Sequence, residues 1–129
     1  MKKEIKIQAT EYSPYVELRP GFCKIQGRAI LEDSINFFAP VMEWLGQYVQ
    51  DPEDETTVII DMCVYDSAVS RRFIDFFNYF EKIVKQRKKV KVIWYYDPDD
   101  SLNLQKAYEF STVYNLEFDF IERETYGED

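Results

Sequence analysis

The stretch from Val69 to Val84 constrains the fold more than any other part of the chain. Val69, Phe73, Phe76, Phe77, Phe80, Ile83 and Val84 recur at three- and four-residue spacing and draw one apolar stripe along a helix. A stripe that rich in phenylalanine must be buried against a second layer. The residues before it supply that layer: Thr56–Cys63 (Thr-Thr-Val-Ile-Ile-Asp-Met-Cys) is β-branched and almost continuously apolar, as expected of a central strand covered on both faces. Another strand-like run, Val90–Tyr96, follows the helix. Lys82, Lys85, Arg87 and Lys88 crowd the end of the helix, where positive charge complements the macrodipole.

The same alternation extends outward from this unit. Glu4–Gln8, Tyr15–Arg19 and Phe22–Gln26 read as short strands, the last two joined by a Pro20-Gly21 turn into a hairpin. From Asp33 to Gln50, Ile35, Phe38, Val41, Met42, Leu45 and Val49 keep helical spacing, with Pro40 as a local irregularity and Asp51-Pro52 as the stop. Asp99 or Asp100 is placed to cap a third helix running to about Tyr114, and Glu117–Ile121 is a last strand before a polar tail over 122–129. The order β-β-β-α-β-α-β-α-β predicts one α/β domain over residues 1–129, with an N-terminal antiparallel hairpin, a mostly parallel sheet and three main helices. In such sheets ligands and partners meet the end where strands hand over to helices. That places Tyr65–Arg71 and Tyr95–Ser101 on neighbouring loops.

Charge and composition narrow the function classes. With 24 acidic against 16 basic residues the net charge is −8, which repels a nucleic-acid backbone or an anionic membrane surface. Aromatic residues make up 17% of the 129, more than a core this small needs, so some are expected at a protein interface. No segment approaches transmembrane length and the N-terminal residues lack the apolar run of a signal peptide, so a cytoplasmic address is expected. Cys23 and Cys63, both in strand-like segments, are expected to be buried reduced thiols.

The chain has no histidine, and no phosphate-loop, dinucleotide, nucleophile-elbow or Cys-x-x-Cys spacing occurs. No enzyme activity, cofactor or metal is therefore expected. The one catalytic alternative is a Mg²⁺-dependent, receiver-like phosphotransfer site built from Asp61, Asp66 and Asp97.

Ser67 stands between the strand and the Phe-rich helix, so it or its neighbour Asp66 is the natural N-cap. As a cap alone Ser67 is worth about 1 kcal/mol and needs no function. The same place suits a phosphoryl group, because free amides and the dipole favour an anion there and Arg71 lies four residues on. Three motifs add to this: Ile25-Gln26-Gly27-Arg28-Ala29-Ile30-Leu31-Glu32-Asp33, Tyr65-Asp66-Ser67-Ala68-Val69-Ser70-Arg71 and Val92-Ile93-Trp94-Tyr95-Tyr96-Asp97-Pro98-Asp99-Asp100.

In these, from about Glu4 to Ile121, the chain resembles the SiaC family of biofilm-regulating phosphoproteins, whose fold is similar to the STAS domains of anti-sigma-factor antagonists. The resemblance implies partner switching, with Ser67 at the position of a threonine in an Asn-Thr-Ser-Ser-Ser-like run that a dedicated kinase phosphorylates and a PP2C-type phosphatase restores. Asp66, Ala68 and Val69 depart from that run, and Asp66-Ser67 is similar to the Asp-Ser pair of classical anti-sigma-factor antagonists, which makes an anti-sigma factor the alternative partner. The family's unmodified form binds and activates a diguanylate cyclase in c-di-GMP signalling. Ser70 is the fallback phosphorylation site, and Arg28, Tyr65, Asp66, Arg71, Tyr95, Tyr96 and Asp97 are the expected partner contacts.

Overall fold

The computed structural model describes residues 3–124. Its elements are β1 (Ile5–Ile7), β2 (Tyr15–Arg19), β3 (Phe22–Ala29), α1 (Ser34–Tyr48), β4 (Glu55–Tyr65), α2 (Ser67–Val84), β5 (Lys89–Tyr96), α3 (Ser101–Val113) and β6 (Glu117–Glu122). The expected element order is the observed one. In the hairpin, Leu18 pairs with Cys23 and Arg19 with Phe22, and Gly21 turns the chain at φ +84, a conformation that any Cβ would strain. Pro40 lies inside α1 on its exposed side, where the carbonyl deprived of an N–H partner belongs to exposed Asn36 and is open to solvent.

The six strands form a single sheet in chain order, β1-β2-β3-β4-β5-β6, with β1–β3 antiparallel and β3–β6 parallel. Crossovers of one hand between strands laid down in sequence place every helix on the same side. Accordingly Val16, Leu18, Cys23, Ile25, Val58, Ile60, Met62, Val90, Val92 and Trp94 are buried beneath the helices, and their alternate neighbours are not. This corrects the expectation that Thr56–Cys63 is covered on both faces. Ile59 and Ile93, paired in register on the open face, are only half-buried.

Beneath the helices the stripe of α2 meets aromatic rings from its neighbours. Phe73 lies 5.3 Å from Trp94 of β5, Phe77 5.1 Å from Phe110 of α3, and Phe76 5.6 Å from Phe38 of α1. Edge-on and tilted contacts of this kind add to the burial of each ring.

The end of the sheet where β4 and β5 begin is closed by hydrogen bonds. Tyr48, fully buried at the end of α1, accepts from the amides of Gly21 (2.9 Å) and Glu53 (3.2 Å). With both lone pairs so engaged, its proton is left for Thr56 Oγ1 at 2.7 Å. Gln86 Nε2 donates to the Val49 carbonyl at 2.7 Å, and Lys88 Nζ to the Pro52 carbonyl (3.3 Å) and, as an ion pair, to the Asp54 carboxylate (3.2 Å).

Candidate functional site

The opposite end, where β3, β4 and β5 stop, begins with a bulge. Gly27 pairs with Met62 but Arg28 pairs with Val64, so Cys63 is an extra residue on β4. Gly27 sits at φ +116, outside the range open to most side chains. Up to Met62 the even-numbered residues of β4 face the helices; beyond the bulge Tyr65 takes that direction, with its ring edge-on to Phe73 at 5.4 Å. Cys63, on the outer parity with Asp61, is exposed. This corrects the expectation of two buried thiols: only Cys23 is buried, and desolvation pushes its thiol up to about 12.

Asp66, extended at φ −94 and ψ 178, is the N-cap of α2, and its carboxylate accepts from the Val69 amide at 2.9 Å. Asp33 and Asp100 cap α1 and α3 in the same way, at 3.0 Å to Asn36 and 3.1 Å to Asn103. With Asp66 doing the capping, Ser67 is the first helical residue. Ser67 is exposed, and the Val69 amide is already taken by Asp66.

Between the starts of α2 and α3 lies an open cleft of ≈ 430 Å³, whose walls include Tyr65, Asp66, Ser67, Ser70, Asn103 and Lys106. Its floor is ordered by Asn103, 7% exposed, whose Oδ1 accepts from the Tyr65 hydroxyl at 2.7 Å and from Trp94 Nε1 at 3.4 Å. Burial, and then the charge of Asp100, push the Tyr65 phenol above its ordinary range. It stays a neutral donor at physiological pH. On the α2 wall the Ser70 hydroxyl, in a residue 8% exposed, accepts from Lys106 Nζ at 3.2 Å. The rim is apolar: Val64 is 43% and Leu102 77% exposed.

The expected contact residues fall into two groups. Tyr65, Asp66, Ser67 and Ser70 line the cleft. Arg71 is exposed one residue beyond its lining, and Arg28 is exposed at the end of β3 beside Val64. Tyr95 is half-buried on the open face of the sheet, away from the cleft, while Tyr96 shares the helix-side parity of Trp94. Asp97 is engaged by Arg123, whose Nη1 lies 3.0 Å from it while its Nε donates to Asp61 at 2.8 Å. Burial pulls the guanidinium pKa down, but its bonds to Asp61 and Asp97 outweigh that and hold it above the ordinary value.

This clamp also corrects the Mg²⁺ alternative. Asp61 and Asp97 share the Arg123 guanidinium on the open face, Asp66 is bonded to the Val69 amide, and no three such groups converge on a metal-sized site among the described residues. Arg123, expected in a polar tail, is tied to the sheet, its amide continuing the β5–β6 ladder to the Tyr96 carbonyl at 2.8 Å. The rest of that expected tail, 125–129, lies outside the described residues.

Asn103 and Lys106 escape sequence reasoning. α3 carries little amphipathic contrast, and a buried asparagine three residues after a capping aspartate was the only available signal. Among the described residues no helix is long and apolar enough to cross a membrane.

A family model described as SiaC family regulatory phosphoprotein matches residues 7–123. The fold is shared with solved structures of SiaC from Pseudomonas aeruginosa. Apo-SiaC superposes with a TM-score of 0.83 at 18% identity, over 92% of this chain and 98% of that one. A second SiaC structure gives 0.84 at 18%, over 94% and 99%. A chain from the crystal structure of the diguanylate cyclase SiaD in complex with its activator SiaC, also from Pseudomonas aeruginosa, gives 0.82 at 18%, over 92% and 99%. No curated protein sequence matches the chain.

Proposed function

This chain belongs to the SiaC family of regulatory phosphoproteins, and we propose that it acts as a partner switch whose unmodified form docks through the α2–α3 cleft onto a diguanylate cyclase and activates it. Phosphorylation of Ser67 by a Ser/Thr kinase releases the cyclase, and a PP2C-type phosphatase restores binding, all in the cytoplasm. The observation that carries this reading is the position of Ser67. Its side chain is exposed, relieved of capping by Asp66, and stands at a cleft whose rim is formed by exposed Val64 and Leu102. An apolar rim around a small polar residue is a surface that a partner can cover. Placing about two negative charges there makes the same covering costly, because the dianion must be desolvated beside the carboxylates of Asp66 and Asp100. The activator role of SiaC toward SiaD in the structural relative supports the choice of a diguanylate cyclase.

Ser70 fits the modified position less well, since its hydroxyl is sequestered under Lys106. Phosphosite mapping on protein from the native host, joined to recovery of the bound partner, tests the reading. Phosphate on Ser67 and a diguanylate cyclase retained only by the unmodified chain are expected. An unmodified Ser67, or a cyclase bound equally by both forms, overturns it.

A further inference from the structure

Ser67 and Ser70 stand three residues apart on α2, so their side chains share a helix face, and both line the cleft. Lys106 faces them from α3 and is the one cation among the residues lining it. Lys106 is half-buried, and its ammonium is bonded to the Ser70 hydroxyl, a neutral acceptor, at 3.2 Å. An ammonium gains more from an anionic oxygen than from a hydroxyl, because attraction between opposite charges adds to the hydrogen bond. The other charged groups at the cleft are the carboxylates of Asp66 and Asp100, each already accepting a backbone amide of its own helix. Arg71 lies outside the lining.

From this geometry we propose that Lys106 is the internal receptor for the phosphoryl group on Ser67, its ammonium passing from the Ser70 hydroxyl to the phosphoryl oxygens and tying α3 to the first turn of α2. This inference rests on the reading of Ser67 as the modified residue. It adds a second route to release. Leu102 lies one turn before Lys106 on the same face of α3 and is the most exposed apolar residue at the rim. A phosphoryl–ammonium tie across the mouth of the cleft occupies the space beside Leu102 in which a partner would meet it.

The test installs phosphoserine at position 67 during translation, so its outcome does not depend on whether the host modifies that residue; phosphosite mapping decides that separately. The phosphate is titrated by ³¹P NMR in the otherwise native chain, in Lys106→Gln and in Lys106→Arg. An unhindered phosphoserine loses its second proton near pH 6. Asp66 and Asp100 push that midpoint up, and a contact with Lys106 pulls it down. The expected result is a midpoint about one pH unit higher in Lys106→Gln than in the native chain, with Lys106→Arg restoring the lower value. Superimposable titrations of the native and Lys106→Gln chains overturn the proposal. Should Lys106→Gln not fold, acetylation footprinting of the native sequence reads the same contact. Phosphate at Ser67 is then expected to slow modification of Lys106 by about fivefold or more, an effect of about 1 kcal/mol, and an unchanged rate overturns the proposal.

Discussion

The two ends of the parallel sheet are built on opposite plans. At one, the turn after β2, the end of α1 and the loop before β4 all converge on the Tyr48 hydroxyl, and long side chains from the end of α2 fasten the loops further. At the other, each helix is capped by its own aspartate, and across the cleft α3 is bonded to its neighbours through Asn103 with Tyr65 and Lys106 with Ser70. Local capping satisfies the first amides of a helix without tying it to its neighbours. The sheet is therefore anchored at one end and left with an accessible cleft at the other.

Removing the Tyr48 hydroxyl is expected to have the largest effect. Tyr48→Phe leaves the Gly21 and Glu53 amides and Thr56 without their shared partner, and should lower unfolding free energy by about 3 kcal/mol in urea titration. Binding at the cleft should be unchanged. A loss below about 1 kcal/mol would mean that water replaces the phenol, and the contrast between the ends would weaken. Asn103→Leu probes the joint between cleft and core. It keeps the branching at Cγ and the backbone amide that Asp100 caps, but strands the Tyr65 hydroxyl and Trp94 Nε1. About 2 kcal/mol of stability should be lost, with a shift in Trp fluorescence reporting the change at Trp94.

Ser67→Asp sharpens the comparison because its two effects have opposite signs. A carboxylate at the first helical residue suits the dipole and should stabilise the fold by a few tenths of a kcal/mol. Affinity for the proposed cyclase partner should fall about tenfold, or 1.4 kcal/mol, while Ser67→Ala retains it. Calorimetric titration beside thermal unfolding separates the two. Equal affinities for both variants would break the link between this end of the sheet and partner choice.

How much of this was legible in the sequence follows from whether each feature is local. The order of elements, the Pro20-Gly21 turn, the aspartate cap of α3 and the stripe of α2 depend on residues within a few positions of one another, and each is present as expected. The position of Ser67 at the head of α2 was legible for the same reason, while its modification is a proposal. The open face was not: Val58-Ile59-Ile60 reads as doubly buried, and only the pairing of Ile59 with Ile93 shows two isoleucines sheltering each other on an uncovered surface. The bulge at Cys63 exists only in the register between strands 36 residues apart. Asn103 and Lys106 acquire meaning from groups across the cleft, which no pattern within α3 encodes.

The clamp on the open face provides the smallest effect and bounds the comparison from the side away from the cleft. Pairing between β4 and β5 ends at Ile60 with Trp94, while β4 continues to Tyr65 along β3 alone. Arg123, just past β6, spans that parting by holding Asp61 of β4 and Asp97 beyond β5. With its side chain 22% exposed, and those of Asp61 and Asp97 21% and 39%, the clamp is only partly shielded from solvent. Arg123→Gln should therefore cost about 0.5–1 kcal/mol at low salt, and the deficit should shrink toward 1 M salt, where screening reaches within about 3 Å. If β4 is positioned by the clamp, the same variant should also weaken binding at the cleft, since Tyr65 and Ser67 lie on the continuation of that strand. A salt-sensitive loss of stability with unchanged affinity would instead make the cleft independent of the open face, held by Asn103 and the aspartate caps alone.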